Sequence, residues 1–543
     1  MATRIPEISA RPRRRKSHLR PNTFIARQET SLRSRDAWWW AGCFILFVAA
    51  VLRLIYLTQK PLHHDEGVNG LFLVNLFRTG YYHYDPSNYH GPSLYYIALI
   101  PTGINNLLHW GHGLSTFAIR FVTAAFGVGV VWLMLCLRRF IGPAASIAAA
   151  LLATVSPGFV FFSRYFIHEI LFVFFSLGVI VAWLWYRETA RPRYLMLGSA
   201  SAAFLFATKE TWIITAAVWI IAIPCTTVYL RLRKRTASVA ATKRPAIASD
   251  DPKNTRNLYL KAAALFLAIG ILLYSSFFTN PRGILDSIRT FTYWTKTGEA
   301  GIYNREWSTY FDWLRQEESP ILFLGGIGVV TALIRARSYF TVFCAFWAMG
   351  IFTAYSLVPY KTPWLALSII LPLTIMAGYA IGEAYKPGLR ALTSVIAAAA
   401  ILFSLYQAID ISFVNFDNDT YAYIYAHTKR DFLKLIREIN SIAAANPAKK
   451  DIGITVVSPE HWPLPWYLRE YTHVGYWGHV VDTSEPIVIA LQSQVPEVER
   501  QLGNKYRQYS THELRPGNTL VMFIRNDVQP SDKNAAVLAA PTY

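Results

Sequence analysis

The chain alternates long apolar runs with short interruptions rich in charge. Runs long enough to cross a bilayer, allowing for short or tilted ones, occur at 38–57, 118–137, 143–162, 169–186, 194–209, 211–230, 259–278, 320–334, 339–358, 364–382 and 390–409. The pattern predicts about eleven membrane helices. A further stretch, "SLYYIALIPTGINNLL" at Ser93–Leu108, carries Pro101 and two asparagines and predicts a helix lying in the interface instead of spanning.

Beyond Asp410 the pattern changes. "TKRDFLKLIREINSIAAAN" and "VPEVERQL" have helical apolar spacing, while "IGITVVS", "EPIVIAL" and "NTLVMFIR" read as buried strands. The expected fold class is therefore an all-α polytopic membrane bundle followed by an exported α/β domain of about 130 residues. The domain plan is a basic tail at 1–36, a transmembrane domain at 37–410 with a large external loop at 58–117, an external domain at 411–526 and a flexible tail at 527–543. No glycine-rich phosphate loop is present to support nucleotide binding.

Composition agrees: 53% of the residues are hydrophobic and 16% charged, too apolar for a soluble chain. The net charge of +20 is concentrated beside apolar runs, with ten Arg/Lys against three Asp/Glu in 1–36 and eight against two in 231–257. Next to membrane helices such blocks mark the cytoplasmic side, so no nucleic-acid partner is inferred. Five basic loops, at Leu137, Arg187, Arg231, Arg335 and Glu383, agree on a plasma-membrane protein with a cytoplasmic amino terminus and an external carboxyl-terminal domain. The first run ends in "TQKPLHHDE" without a small-residue cleavage pattern, so it is expected to stay as an anchor. Cys43, Cys136, Cys225 and Cys344 all fall in apolar runs and offer neither a disulfide framework nor a metal site.

This topology gathers the polar clusters on the outer face. Asp65 and Glu66 follow the first span closely, where an anion is costly unless solvated, paired or used; the plain alternative is an ion pair with Arg53. Glu169 opens the fourth span just after Arg164 and His168, and two such acids could converge on one cavity to take a proton from a hydroxyl or to share a divalent cation. Lys209 and Lys361 are bracketed by apolar helices and need anions; Glu210 could serve Lys209, whereas Lys361 has no neighbouring acid and would suit a lipid-borne phosphate. The tyrosine-rich first loop could form a sugar-binding wall, with His64, Tyr89 and His90 as candidate contacts beside Arg164 and His168. His63, His64, His83 and His90 lack the helical spacing of a zinc site, so the one cofactor left open is a divalent cation shared by the acids.

"PLHHDEG", "IRF…AFG", "SR…HE" and "ATKET", in this order and sidedness, resemble the GT-C superfamily of membrane glycosyltransferases, in the branch of the protein mannosyltransferases and aminoarabinose transferases. "HHDEG", "YHGP", "FATKE", "KTPW" and "HWPLPWYLR" are more closely similar to the prokaryotic flippase activity-associated proteins. The resemblance covers the whole chain. It implies a polyprenyl-phosphate-linked sugar donor, an external glycan, lipid or protein acceptor, and an inverting single displacement. By motif, Asp65 resembles the first-loop catalytic acid, Glu66 would assist, Glu169 stands where relatives often carry aspartate, and Lys361 would hold the donor phosphate. The alternative is a non-catalytic accessory protein for flipping or processing lipid-linked sugars, or a transporter. Against a transporter stand the lack of an evident inverted repeat and the crowding of ionisable groups on one face.

Overall fold

The computed structural model describes residues 23–88, 90–109, 113–234, 252–297 and 304–528. The predicted tail from 527 therefore lies almost wholly outside the described residues. By its contacts the chain divides at Phe44/Ile45, and everything discussed below belongs to the unit that begins at Ile45.

Every one of the eleven apolar runs is helical. Among the described residues, however, eight helices are long and apolar enough to cross a membrane, or up to ten if each of two bent pairs is one span. Three runs account for the difference. The run at 194–209 forms a helix of 15 residues, Pro192–Phe206, which at 1.5 Å per residue reaches roughly 22 Å and falls short of the hydrocarbon core. The run at 143–162 breaks into Pro143–Val155 and Pro157–Ser163, bent by 54°, because Pro157 cannot continue the preceding helix but suits the first turn of the next. The run at 320–334 forms Ser319–Arg335, bent by 113° from the helix Thr309–Glu317.

One carboxylate joins the two breaks. Glu318, at the 113° bend, accepts the Ser156 hydroxyl at 2.7 Å and the Gly158 N–H at 2.6 Å. It thereby caps the helix that starts at Pro157, a place where N–H groups have no partner within the helix. The most enclosed span is Pro363–Ala384, 94% of whose most apolar window is buried.

The carboxyl-terminal region carries a five-stranded sheet: β1 Ile454–Val456, β2 Val474–Tyr476, β3 Ile487–Leu491, β4 Tyr506–Arg515 and β5 Asn518–Arg525, in the order β2-β1-β3-β5-β4. β1 runs parallel to β2 and β3, and β5 antiparallel to β3 and β4. Val457, Val488, Val521 and Phe523 form its core with Val498 and Leu502 of the helix Val495–Leu502. The predicted helix at Phe432–Ala445 is present, as are the three predicted strands. An irregularity in β4 between Glu513 and Arg515 re-aims the end of the strand, as bulges do. There Arg515 donates to the Trp462 carbonyl at 3.0 Å.

Candidate active site

The first loop is more structured than its sequence suggests, for it opens with a helix at His64–Thr79. His63 caps it: its Nδ1 accepts the Asp65 N–H at 3.1 Å, and its own N–H donates to Glu66 Oε2 at 2.9 Å. Because Nδ1 is an acceptor, the ring proton sits on Nε2, which faces the Tyr425 carbonyl at 3.1 Å. This is a reciprocal capping arrangement built from histidine and glutamate.

Successive residues on a helix point about 100° apart, and Asp65 and Glu66 separate accordingly. Glu66 is fully buried and takes both prongs of the Arg120 guanidinium at 2.7 Å, together with the Phe166 N–H at 2.9 Å. Arg120 also donates to the carbonyls of Leu57, Lys60 and Pro61. Burial pushes the Glu66 carboxyl up, but Arg120, Lys60 and the His63 N–H outweigh it and hold the group below its ordinary value. Asp65 faces the other way, into a cavity of about 590 Å³, a size usual for small-ligand sites.

The rest of the wall comes from distant segments. Glu169 is the first residue of the helix Glu169–Thr189, and its Oε1 accepts from Lys209 Nζ. Lys209 lies in the turn between the helices Pro192–Phe206 and Trp212–Lys234. The adjacent Glu210 pairs instead with His90 Nδ1 at 2.9 Å. Burial opposes both charges, yet Glu169 keeps Lys209 above its usual pKa and His90 holds Glu210 below the usual carboxylate range. His168 donates from Nε2 to the Gly91 carbonyl at 3.1 Å, and burial, His90 and Lys209 keep it well below its ordinary pKa, hence neutral. His64 is brought down to about 4, chiefly by burial.

The motifs meet in pairs around this cavity. "YHGP" and the serine that follows it hydrogen-bond to "FATKE", through Gly91 N–H to the Thr208 carbonyl and Ser93 N–H to the Ala207 carbonyl. "HHDEG" packs against "HWPLPW": a Cβ on Gly67 would lie 2.7 Å from Pro463 Cβ, so only glycine permits the approach. The Leu62 N–H is held by the Tyr467 hydroxyl at 2.9 Å, and the Trp364 ring of "KTPW" lies 5.9 Å from that of His63.

Of the predicted site residues, His64, Asp65, His90, His168, Glu169, Lys209 and Glu210 share the cavity wall. Three do not line it. Glu66 faces away from the cavity and is paired with Arg120. Arg164 donates to the carbonyls of Arg53, Ile55 and Tyr56 at the end of the first span, where a cation complements the helix terminus. Lys361 donates to the Ser356 and Val358 carbonyls at 3.0 and 2.5 Å, closing the helix Tyr339–Leu357; these carbonyls replace the anion that its setting seemed to require. Tyr89 lies outside the described residues. Arg53, the suggested partner of the acids, donates instead to the Ala49, Ala153 and Thr154 carbonyls.

Sequence reasoning missed Asn69, Trp294, Tyr355 and Trp364, which also line the wall. For Asn69 the signal was a polar residue one turn after Asp65; for Trp294 it was the amphipathic spacing of Arg282–Thr297. Among the described residues, no group of three or more His, Cys, Asp or Glu side chains is placed to hold a metal ion.

Residues 89–243 match the model of the family described as dolichyl-phosphate-mannose-protein mannosyltransferase. No curated protein sequence matches the chain. In fold it resembles ArnT from Cupriavidus metallidurans, solved bound to undecaprenyl phosphate, with a TM-score of 0.57, 15% identity and coverage of 90% of this chain and 99% of that one. The Archaeoglobus fulgidus oligosaccharyltransferase, solved with zinc and sulfate, gives a TM-score of 0.53 at 13% identity, over 88% of this chain and 73% of that one. The family match takes in His90, His168, Glu169, Lys209 and Glu210 of the cavity wall but not Asp65, and with these two neighbours it gives the chain the fold of the GT-C membrane glycosyltransferases.

Proposed function

We propose that the protein transfers a sugar from a polyprenyl-phosphate donor to an acceptor hydroxyl in the Asp65 cavity, with inversion at the anomeric carbon. The observation that carries this reading is the unequal pairing of the acids on the wall. Glu169 is met by Lys209 and Glu210 by His90, whereas among the described residues Asp65 has only His63 Nδ1 at 3.9 Å. That nitrogen is already occupied by the Asp65 N–H. A carboxylate side chain left open to a cavity is placed to act as a general base.

In the proposed step the acceptor oxygen attacks the anomeric carbon as its proton passes to an Asp65 carboxylate oxygen. The bond from that carbon to the phosphate oxygen breaks, and its electron pair leaves on the polyprenyl phosphate. Lys209 takes the role first expected of Lys361: one of its N–H bonds goes to Glu169 and the others can meet phosphate oxygens. Glu169 then acts as the positioning residue for Lys209. The lipid seen with ArnT supports the donor class. The five basic loops support an outward-facing site in a plasma membrane, with a glycan, lipid or protein acceptor.

Transfer by the purified protein in nanodiscs, supplied with polyprenyl-phosphate-linked sugars, tests the reading. Asp65→Asn keeps the shape and removes the basicity, so turnover should fall by about 10² to 10⁴, the usual worth of a positioned base. Near-normal transfer would remove Asp65 from the chemistry and favour the accessory-protein reading.

A further inference from the structure

A row of rings runs from the surface of the carboxyl-terminal sheet to the lip of the cavity. Tyr476, at the end of β2, is 36% exposed. The Tyr476 ring lies 5.1 Å from His461, His461 lies 5.7 Å from Trp462, and Trp462 lies 6.0 Å from His64. His64 lines the cavity beside Asp65.

We propose that this row is an acceptor-glycan subsite, on which several sugar units lie while the reacting hydroxyl enters the cavity; the proposal rests on the transferase reading above. A pyranose presents C–H faces to aromatic rings and hydroxyls to charged groups, and the row supplies both. Arg515 pairs with the half-exposed Glu460 at 3.2 Å, and its Nη1 lies 3.5 Å from His64 Nδ1, so an ion pair borders the rings. One placement shows that the platform is built. Trp462 is fixed by Arg515 on its carbonyl and by Gly67 under its ring, where a Cβ would lie 3.2 Å away.

Aromatic residues in a membrane protein often only anchor it at the interface. Here the rings alternate with histidines, are flanked by an ion pair and end at a catalytic pocket, which an anchor does not require. The occupant is therefore a carbohydrate chain that continues into the cavity, not lipid.

The test applies the fluorescently labelled full-length protein in nanodiscs to an array of hexose, pentose and N-acetylhexosamine saccharides of one to six units. The native protein should hold a subset of the longer saccharides and no monosaccharide. Trp462→Ala combined with Tyr476→Ala should weaken that binding by about tenfold or more, the scale for truncating aromatic anchors, and Trp462→Phe with Tyr476→Phe should largely restore it. Asp65→Asn should still bind. If Asp65→Asn also still transfers sugar, the catalytic reading fails while the subsite stands. Unchanged binding in the double variant, or no saccharide held by the native protein, would overturn the proposal.

Discussion

Glu66 and Arg120 meet through two parallel hydrogen bonds of 2.7 Å, and neither side chain reaches solvent. The pair ties the start of the His64–Thr79 helix to the span Thr116–Cys136 and thereby fixes the direction in which Asp65 points. Its role is architectural, even though Glu66 sits beside the proposed base in sequence.

Removing one partner of such a pair strands a buried charge, at about 3 to 5 kcal/mol. Glu66→Gln should therefore lower the thermal midpoint in nanodiscs markedly at neutral pH. The native carboxyl is held below its ordinary value, so the pair stabilises fully above the unfolded carboxyl pKa of about 4.3 and loses that contribution as pH falls through the lower native value. The acid limb of midpoint against pH should be shallower in Glu66→Gln; identical limbs would show that the pair does not carry it.

Lys361 donates to the carbonyls that end the helix Tyr339–Leu357. Lys361→Met should leave the affinity for a polyprenyl-phosphate sugar unchanged while lowering stability by roughly 1.5 to 3 kcal/mol, the range for hydrogen bonds to a charged group. Lys209→Met should do the reverse to affinity, raising the donor Kd. A binding titration on both variants separates them, and weakened capture in Lys361→Met alone would return that lysine to the site.

Gly67→Ala places a methyl group 2.7 Å from Pro463 Cβ, and forcing such volume into packed structure costs about 1 to 3 kcal/mol. Because the same helix carries Asp65, turnover should drop along with the melting point. A stable Gly67→Ala protein with full activity would mean that the two motifs can part without consequence.

Orientation is open to direct test by single-cysteine labelling in intact cells. An impermeant reagent should modify cysteines placed at 65 and 430 and spare one at 234. Labelling at 234 would reverse the arrangement inferred from the basic loops.

Elements with strong periodicity were legible in advance. "VPEVERQL" is the helix Val495–Leu502, and "IVIAL" within "EPIVIAL" is β3. The misses share a cause. β4, "YRQYSTHELR", alternates polar residues with few apolar ones, so its place in the sheet depends on pairing with β5, which no local pattern reveals. The helix His64–Thr79 was read as loop because its glycines and asparagine depress helix propensity, although histidine followed three residues later by glutamate was the signature of its cap. Asp65 stood out by charge alone. Partner choice did not: whether Lys209 takes Glu169 or Glu210, and whether Lys361 takes a ligand or carbonyls, depends on angles between distant helices.

The contact between "HHDEG" and "HWPLPW" also constrains biosynthesis. Leu62 and Tyr467 lie 405 residues apart, so the ribosome must deliver nearly the whole chain before the first loop can find its roof. Loop closure over such a length must be met before the contact yields any stabilisation. Until then the nascent protein holds the Asp65-bearing helix without the segment that packs against Gly67. A premature stop after the last span would thus release an inserted protein in which every residue lining the cavity is present but the helix carrying Asp65 lacks its packing partner.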